Sequence, residues 1–161
     1  MAEDRQMAEA PKRRRAGAYL RGDQIIIFSY AYTIDGIGIS VPPARRLAAS
    51  ADPVQVGAAL RQALIPPLVV PPRFWKDQQQ LSREFLKSAG FRSFRQLESA
   101  ARYCSIEATN GEVVVEPYRN GGTRGDKKGF QPFGAVKGIV LEAAADGVLG
   151  AALRDGLHRA E

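Results

Sequence analysis

The chain has 161 residues, of which 45% are hydrophobic and 25% are charged, and this composition is typical of one globular domain. Its formal net charge is +6, and no apolar run is long enough to cross a bilayer. Residues 1–15 lack the apolar core of a secretory signal, so we expect a cytoplasmic protein. A single cysteine, Cys104, and a single histidine, His158, exclude an internal disulfide and a structural zinc site.

The N-terminal segment predicts a tail. Residues 1–17 are expected to form a disordered basic tail, and residues 18–161 a single domain. The tail contains the run Lys12-Arg13-Arg14-Arg15, which is able to grip phosphates. Because no aromatic residue lies among these charges to stack on bases, we favour a solvated terminus over a nucleic-acid contact.

A hairpin of two apolar strands is predicted next. Residues 24–33 are rich in Ile, Phe and Tyr, Asp35-Gly36 is a two-residue hairpin turn, and residues 37–41 return as the second strand until a Pro pair ends it. This turn places Tyr32 opposite Ile39. Both faces of the hairpin are largely apolar, so we expect it to lie centrally in a sheet that is covered on both sides.

Three helices are predicted between this hairpin and the next one. The first begins at an Asp N-cap followed by Pro, Asp52-Pro53. The second is an apolar helix that begins with Phe74-Trp75 and ends at Gly90. The third begins with a capping box formed by Ser93 and Gln96. A stiff proline-rich linker at residues 66–72 separates the first two helices.

A second hairpin is predicted over residues 103–108 and 112–117, turned by Asn110-Gly111. Its turn places three carboxylates and one apolar side chain on the same face, namely Glu107, Glu112, Val114 and Glu116. The other face is apolar and includes Cys104, which we expect to be a small core residue rather than a nucleophile. Carboxylates on a rigid face suit acid/base catalysis, metal binding or recognition of a basic protein, and a solvated strand face is the plain alternative.

A glycine-rich basic loop follows at residues 119–129. Its cations are candidate contacts for an anion or a nucleic acid: Arg119, Arg124, Lys127 and Lys128. No register of the loop matches a P-loop, because no Ser or Thr follows the lysines, so we favour a surface loop. A short strand at residues 138–141 and a last helix at residues 146–159 complete the prediction.

Five residues of the chain occur twice, as Gly57-Ala58-Ala59-Leu60-Arg61 and as Gly150-Ala151-Ala152-Leu153-Arg154. Each copy follows an Asp cap and a strand, which indicates an internal strand–helix repeat. Glycine inside a helix costs roughly 1 kcal/mol relative to Ala, so we expect each one to allow close approach of its helix to a sheet. The predicted fold is α+β (α/β-like), a central sheet of hairpins and short strands packed by about four helices.

The order of these signals resembles the immunity proteins of bacterial contact-dependent growth inhibition (CDI). The resemblance extends over residues 18–158. It is carried by a strand–turn segment (33–40), a helix (57–64), a Trp-containing helix start (75–78), two Gly-Phe segments (89–93 and 129–132) and a last helix of the Gly-x-Ala-Leu type. It implies a cytoplasmic, non-enzymatic antidote, without cofactor or metal, that binds the toxic C-terminal domain of a delivered exoprotein and blocks its active site. Such toxins are often nucleases, frequently acting on tRNA.

The net charge fits this resemblance poorly, because an antidote to a basic nuclease is expected to be acidic. Either the toxin is not strongly basic, or the contact is through a local acidic face. We predict the latter, with the toxin as partner in a heterodimer on the face of Glu107, Glu112 and Glu116. Two alternatives remain open. A nucleic-acid-binding accessory protein using residues 12–15 and 119–128 predicts an affinity that falls steeply with salt. An enzyme using the glutamates predicts perturbed carboxylates in a concave pocket. No membrane partner is expected.

Overall fold

The computed structural model describes residues 14–126, 128–132, 139–142 and 145–161, and these form an antiparallel sheet with helices on both faces. The described strands are β1 (Arg14–Arg21), β2 (Gln24–Tyr32), β3 (Gly38–Ala48), β4 (Arg102–Thr109), β5 (Glu112–Asn120), β6 (Phe130–Pro132) and β7 (Ile139–Glu142). The described helices are α1 (Pro53–Ala63), α2 (Gln79–Ala89), α3 (Phe94–Glu98) and α4 (Asp146–Arg159), with a 3₁₀ turn at Trp75–Asp77. The predicted α+β class is confirmed.

The strand order is β3-β2-β1-β4-β5, and two short strands share the outer edge of β5. Strand β7 pairs with the first half of β5, from Glu112 to Val115, and β6 pairs with the second half, from Tyr118 to Asn120. In the described part of the chain, no helix is long and apolar enough to span a membrane.

Two cores lie on opposite faces of the sheet. One is covered by α1 and α4 and contains Ile25, Ile27, Leu60, Ile106, Val115 and Leu153, and the other is covered by α2 and α3 and contains Tyr19, Ile26, Phe28, Phe85, Leu97 and Tyr103. Successive side chains of a strand point to opposite faces. The unbroken apolar run of β2 therefore supplies both cores, as the prediction of a sheet covered on both sides requires.

Strand β1 corrects the predicted boundary between tail and domain. It begins at Arg14 and pairs with both β2 and β4 in the middle of the sheet, so residues 14–17 belong to the domain. The strand escaped prediction because its start, Arg14-Arg15, is charged and because Ala16, Gly17 and Ala18 have little strand propensity. Tertiary packing compensates, since Ala16 and Ala18 are completely buried. Lys12 and Arg13 lie outside the described residues.

The first hairpin has a different register from the predicted one. Ala31, not Tyr32, lies opposite Ile39. The loop has three residues between Thr33 and Ile37, whose backbone atoms pair through a hydrogen bond of 2.9 Å from the Thr33 N–H to the Ile37 carbonyl. Gly36 closes this loop with φ of +82°, as a three-residue hairpin requires. Because the register is shifted by one residue, every side chain of the second strand points to the face opposite the predicted one.

Strand β3 also extends further than predicted and lies at the sheet edge. It continues through Pro42-Pro43 to Ala48, and its pairing with β2 shifts between Ile27 and Ser29, where the prolines fall. Prolines are tolerated at an edge and at a bulge because no ladder N–H is needed there. The hairpin is therefore covered on both faces but is not central.

The predicted helix signals are largely confirmed. Asp52 accepts a hydrogen bond of 2.7 Å from the Val54 N–H, Gly90 ends α2 in the left-handed conformation, and Ser93 Oγ accepts from the Gln96 N–H at 3.1 Å. The Gln96 side chain caps the Arg92 N–H instead of that of Ser93, and Phe74-Trp75 lead into the 3₁₀ turn rather than directly into α2.

The repeated pentapeptides lie in α1 and α4, which pack against each other. A Cβ atom on Gly57 would overlap the Asp146 carbonyl oxygen, and one on Gly150 would overlap the Pro53 carbonyl oxygen. The expectation that these glycines allow a helix to approach a sheet is therefore wrong, because they allow two helices to approach each other. Asp146 is the first residue of α4 and does not cap it; its carboxylate pairs with Arg61 at 2.7 Å.

Candidate functional site

The second hairpin has the predicted register. Thr109 lies opposite Glu112, Glu107 opposite Val114, and Ser105 opposite Glu116. These six residues line a surface cleft of about 220 Å³, which we call the glutamate face. The structure therefore brings together the four residues predicted for toxin binding, Glu107, Glu112, Val114 and Glu116.

The glutamate face belongs to the sheet surface that α2 and α3 cover only in part. The core under these helices reaches β4 at Tyr103, and beyond it the same surface of β4 and β5 carries polar residues. Glu112 is exposed, whereas Glu107 and Glu116 are half-buried. The reverse side of the hairpin packs into the core through Ile106 and Val115, so the carboxylates stand on a rigid support.

Arg15 of β1 adjoins the glutamate face. It lies opposite Glu107 in the β1–β4 pairing, and its Nε donates a hydrogen bond of 3.1 Å to Ser105 Oγ. Its guanidinium lies 4.5 Å from the centre of the Tyr30 ring, which is a favourable cation–π distance. These contacts hold a positive group at the border of an acidic surface. Sequence reasoning missed Arg15 because it placed the residue in the tail.

Tyrosine hydroxyls form a polar seam beside Arg15. The hydroxyls of Tyr30 and Tyr103 are 2.6 Å apart, and burial raises the pKa of both groups above the ordinary value. Partial burial and then the Glu116 carboxylate raise the pKa of Tyr118, while Arg15 and a hydrogen bond with Ser105 act in the opposite direction. These phenols remain protonated at neutral pH, so they serve as hydrogen-bonding groups rather than as bases.

Other candidate chemistry finds little support. Among the described residues, no group of three His, Cys, Asp or Glu side chains could hold a metal ion. Cys104 is a core residue, as predicted, and burial raises the pKa of its thiol to about 12, which keeps it protonated and unreactive. His158 is exposed in the last turn of α4, where its carbonyl oxygen accepts a hydrogen bond of 3.0 Å from Arg102.

The structure separates the predicted basic contacts. Arg119 Nε is 3.2 Å from the Glu161 carboxylate, whereas Arg124 and Lys128 are exposed beside another cleft. Arg95 and Glu98 also line that cleft, so three cations and one carboxylate of the described residues border it. Lys127 lies outside the described residues.

Comparison with known proteins gives a family and a fold. The model of the CdiI family, described as CDI immunity protein, matches residues 14–160. A solved protein of unknown function from Neisseria meningitidis has a TM-score of 0.74 at 18% identity, with 92% of this chain and 96% of that chain covered. A chain of the CdiA-CT/CdiI toxin and immunity complex from Yersinia pseudotuberculosis has a TM-score of 0.68 at 13% identity, with 92% and 98% covered. These similarities show a shared fold. No curated protein matches the sequence significantly.

Proposed function

Because the chain belongs to the CDI immunity protein family, we propose that it binds and neutralises the toxin domain at the C-terminus of a CDI exoprotein. The family match over residues 14–160 is the observation that carries this proposal. A second support is the shared fold with a chain from a complex of a toxin and its immunity protein. We propose a non-enzymatic inhibitor that acts in the cytoplasm and forms a heterodimer with its toxin.

The toxin contact is assigned to the glutamate face. Among the described residues, this surface lies beyond the part of the sheet that α2 and α3 cover, and its carboxylates stand on a hairpin anchored in the core. A rigid surface loses little conformational entropy on binding, so more of the interaction energy remains as affinity. Carboxylates at fixed spacing also attract a basic partner and accelerate its capture.

We propose that the toxin is a nuclease with tRNA as its first candidate substrate, and that the chain inhibits it by blocking its active site. A nuclease attracts phosphates with basic groups in and around its cleft. In place of the nucleic acid, these basic groups would contact the carboxylates of Glu107, Glu112 and Glu116. The net charge of +6 does not oppose this mechanism, because close contacts depend on the local charge and distant charges are screened within about 10 Å at 0.1 M salt.

A nucleic-acid-binding accessory protein is the second candidate. It rests on Arg124 and Lys128, which are exposed at the rim of the same cleft. Among the described residues that line this cleft, none is aromatic, so the stacking that sustains single-strand binding has no platform there. Direct titration with RNA and DNA at two salt concentrations distinguishes this candidate, because phosphate binding weakens steeply with salt.

Co-expression tests the proposed function. The tagged chain is produced together with the C-terminal domain of the exoprotein encoded directly upstream of its gene. We expect a complex that survives purification and cells that grow despite the toxin. A folded, soluble chain that neither binds the toxic domain nor protects the cells would refute this pairing.

A further inference from the structure

A cavity of about 150 Å³ lies where β1 and β2 approach the proline-rich linker. We call it the Tyr32 pocket. Its wall is formed on one side by Arg14 and Tyr32 and on the other by Leu64, Ile65, Val69 and Val70. A cavity of roughly this volume is able to hold a six-membered aromatic ring. The pocket is therefore large enough for one apolar side chain.

The Tyr32 hydroxyl makes this pocket unusual. The oxygen atom is buried, and within the described residues it has no hydrogen-bond partner. A buried polar atom without a partner is uncommon and reduces stability. Arg14 lines the same pocket and carries a guanidinium group. Both groups are hydrogen-bond donors, and none of the side chains that line the pocket carries a carboxylate to accept from them.

The pocket is surrounded by exposed apolar side chains. Ile65 is 61% exposed and Val70 71% exposed on the linker, and Ile34 is 84% exposed at the tip of the first hairpin. An ion pair of 2.6 Å between Arg73 and Asp35 ties the end of the linker to this tip. Single exposed apolar residues are ordinary, but a concentration of them beside a cavity is typical of a protein-binding surface.

The Tyr32 pocket adjoins the glutamate face. Arg15 lines the pocket and also bonds to Ser105, which lines the glutamate face. A partner on the glutamate face would thus reach the pocket without crossing a covered part of the sheet. Such a partner would meet carboxylates at the glutamate face and the guanidinium groups of Arg14 and Arg15 with an apolar rim at the pocket. It must therefore carry basic groups opposite the glutamates, and an acidic group beside an apolar one opposite the pocket.

We propose that the Tyr32 pocket receives one large apolar side chain from a loop of the toxin domain, beside an Asp or Glu of the same loop. The carboxylate of that residue accepts a hydrogen bond from the Tyr32 hydroxyl. This proposal rests on the proposed function, since it names a second contact for the same partner. A buried anchor of this kind contributes more to the affinity than the contacts at the rim of an interface.

Two variants and a matched control test the pocket, with the toxin domain encoded upstream as the probe. Tyr32→Phe removes only the hydroxyl, so we expect its Kd to rise about three- to tenfold, while the thermal midpoint of the free protein does not fall. Val70→Asp places a charge at the rim and is expected to raise Kd at least about tenfold. Val148→Asp alters an exposed valine in the first turn of α4 and should leave Kd unchanged.

The outcomes separate this proposal from the proposed function. A tight wild-type complex that is weakened by both pocket variants, but not by Val148→Asp, supports the pocket. If the wild-type complex forms and the two variants bind with wild-type Kd, the pocket proposal fails while the proposed function stands. If the wild-type chain does not bind the toxin domain at all, both are overturned.

Discussion

Gly57 and Gly150 occupy the same position in two copies of one pentapeptide, and they face each other where α1 and α4 cross. A Cβ atom on Gly150 would lie 2.8 Å from the Gly57 backbone nitrogen. The arginines of the two copies behave similarly: Arg61 pairs with Asp146 at the start of α4, and Arg154 donates to the Ala51 carbonyl just before α1. Each copy thus contacts the start of the other helix, and the repeat is a packing motif.

Alanine at Gly57 should destabilise the protein. Helix propensity alone would favour alanine by roughly 1 kcal/mol. Overlap with the Asp146 carbonyl forces the helices apart, and such overpacking typically costs about 1–3 kcal/mol, so we expect a net loss of unfolding free energy. Urea unfolding measures it. Gly147→Ala is the control, since a Cβ there meets only the Val54 side chain at 3.4 Å, and it should not destabilise. Equal stability of the two variants would contradict the packing role.

Alkaline pH should destabilise the protein. Burial raises the pKa of Tyr19 and Tyr103 well above the ordinary value of 10.0, and that of the Cys104 thiol to about 12. Above about pH 10, the unfolded chain loses protons that the folded chain keeps, so its stability decreases as the pH rises. Tyrosinate absorbance and urea unfolding between pH 8 and pH 11 provide the measurement. Full ionisation of the five tyrosines in the folded protein near pH 10 would contradict these pKa directions.

Charge reversal on the glutamate face should slow the capture of the toxin. Glu107→Lys, Glu112→Lys and Glu116→Lys together are expected to lower the association rate constant about tenfold or more at low salt, with a smaller effect at high salt. The control reverses three exposed carboxylates elsewhere, Asp23, Asp77 and Glu84, and so has the same net charge. Stopped-flow kinetics compare them. If both triple variants lower the association rate constant equally, the glutamate face has no special role in capturing the toxin.

Removal of the basic side chains at the glycine-rich loop should leave neutralisation intact. In the proposed function Arg124 and Lys128 make no contact with the toxin, so the double variant Arg124→Ser and Lys128→Ser is expected to protect cells as well as the wild type. A growth assay with the co-expressed toxin domain checks this. Loss of protection by a variant with wild-type thermal stability would favour the nucleic-acid interpretation.

Local signals predicted the second hairpin well and the first one poorly, and the difference has a physical cause. Asn110-Gly111 forms a two-residue turn, which sets the register of β4 and β5 and hence the glutamate face. Asp35-Gly36 fits a two-residue turn equally well, but it forms the end of a three-residue loop that begins at Ile34. The dipeptide does not distinguish these loops, since the choice depends on how β3 packs.

Features that depend on distant partners could not be predicted. Strand β1 is held by its neighbours β2 and β4 rather than by its own propensity, so Arg15 and its contact with Ser105 were missed. The Tyr32 pocket likewise needs the proline-rich linker to pass the end of β2. The pentapeptide that occurs twice indicated that α1 and α4 are alike, but it could not indicate that the two helices pack on each other.

The most direct test of the central claim is the stoichiometry of inhibition. Purified chain is titrated into the isolated toxin domain while cleavage of its nucleic-acid substrate, beginning with tRNA, is followed. The account predicts that activity falls linearly and reaches zero at about one chain per toxin domain, because tight binding blocks the active site. Cleavage that continues at full rate with excess folded chain would contradict it.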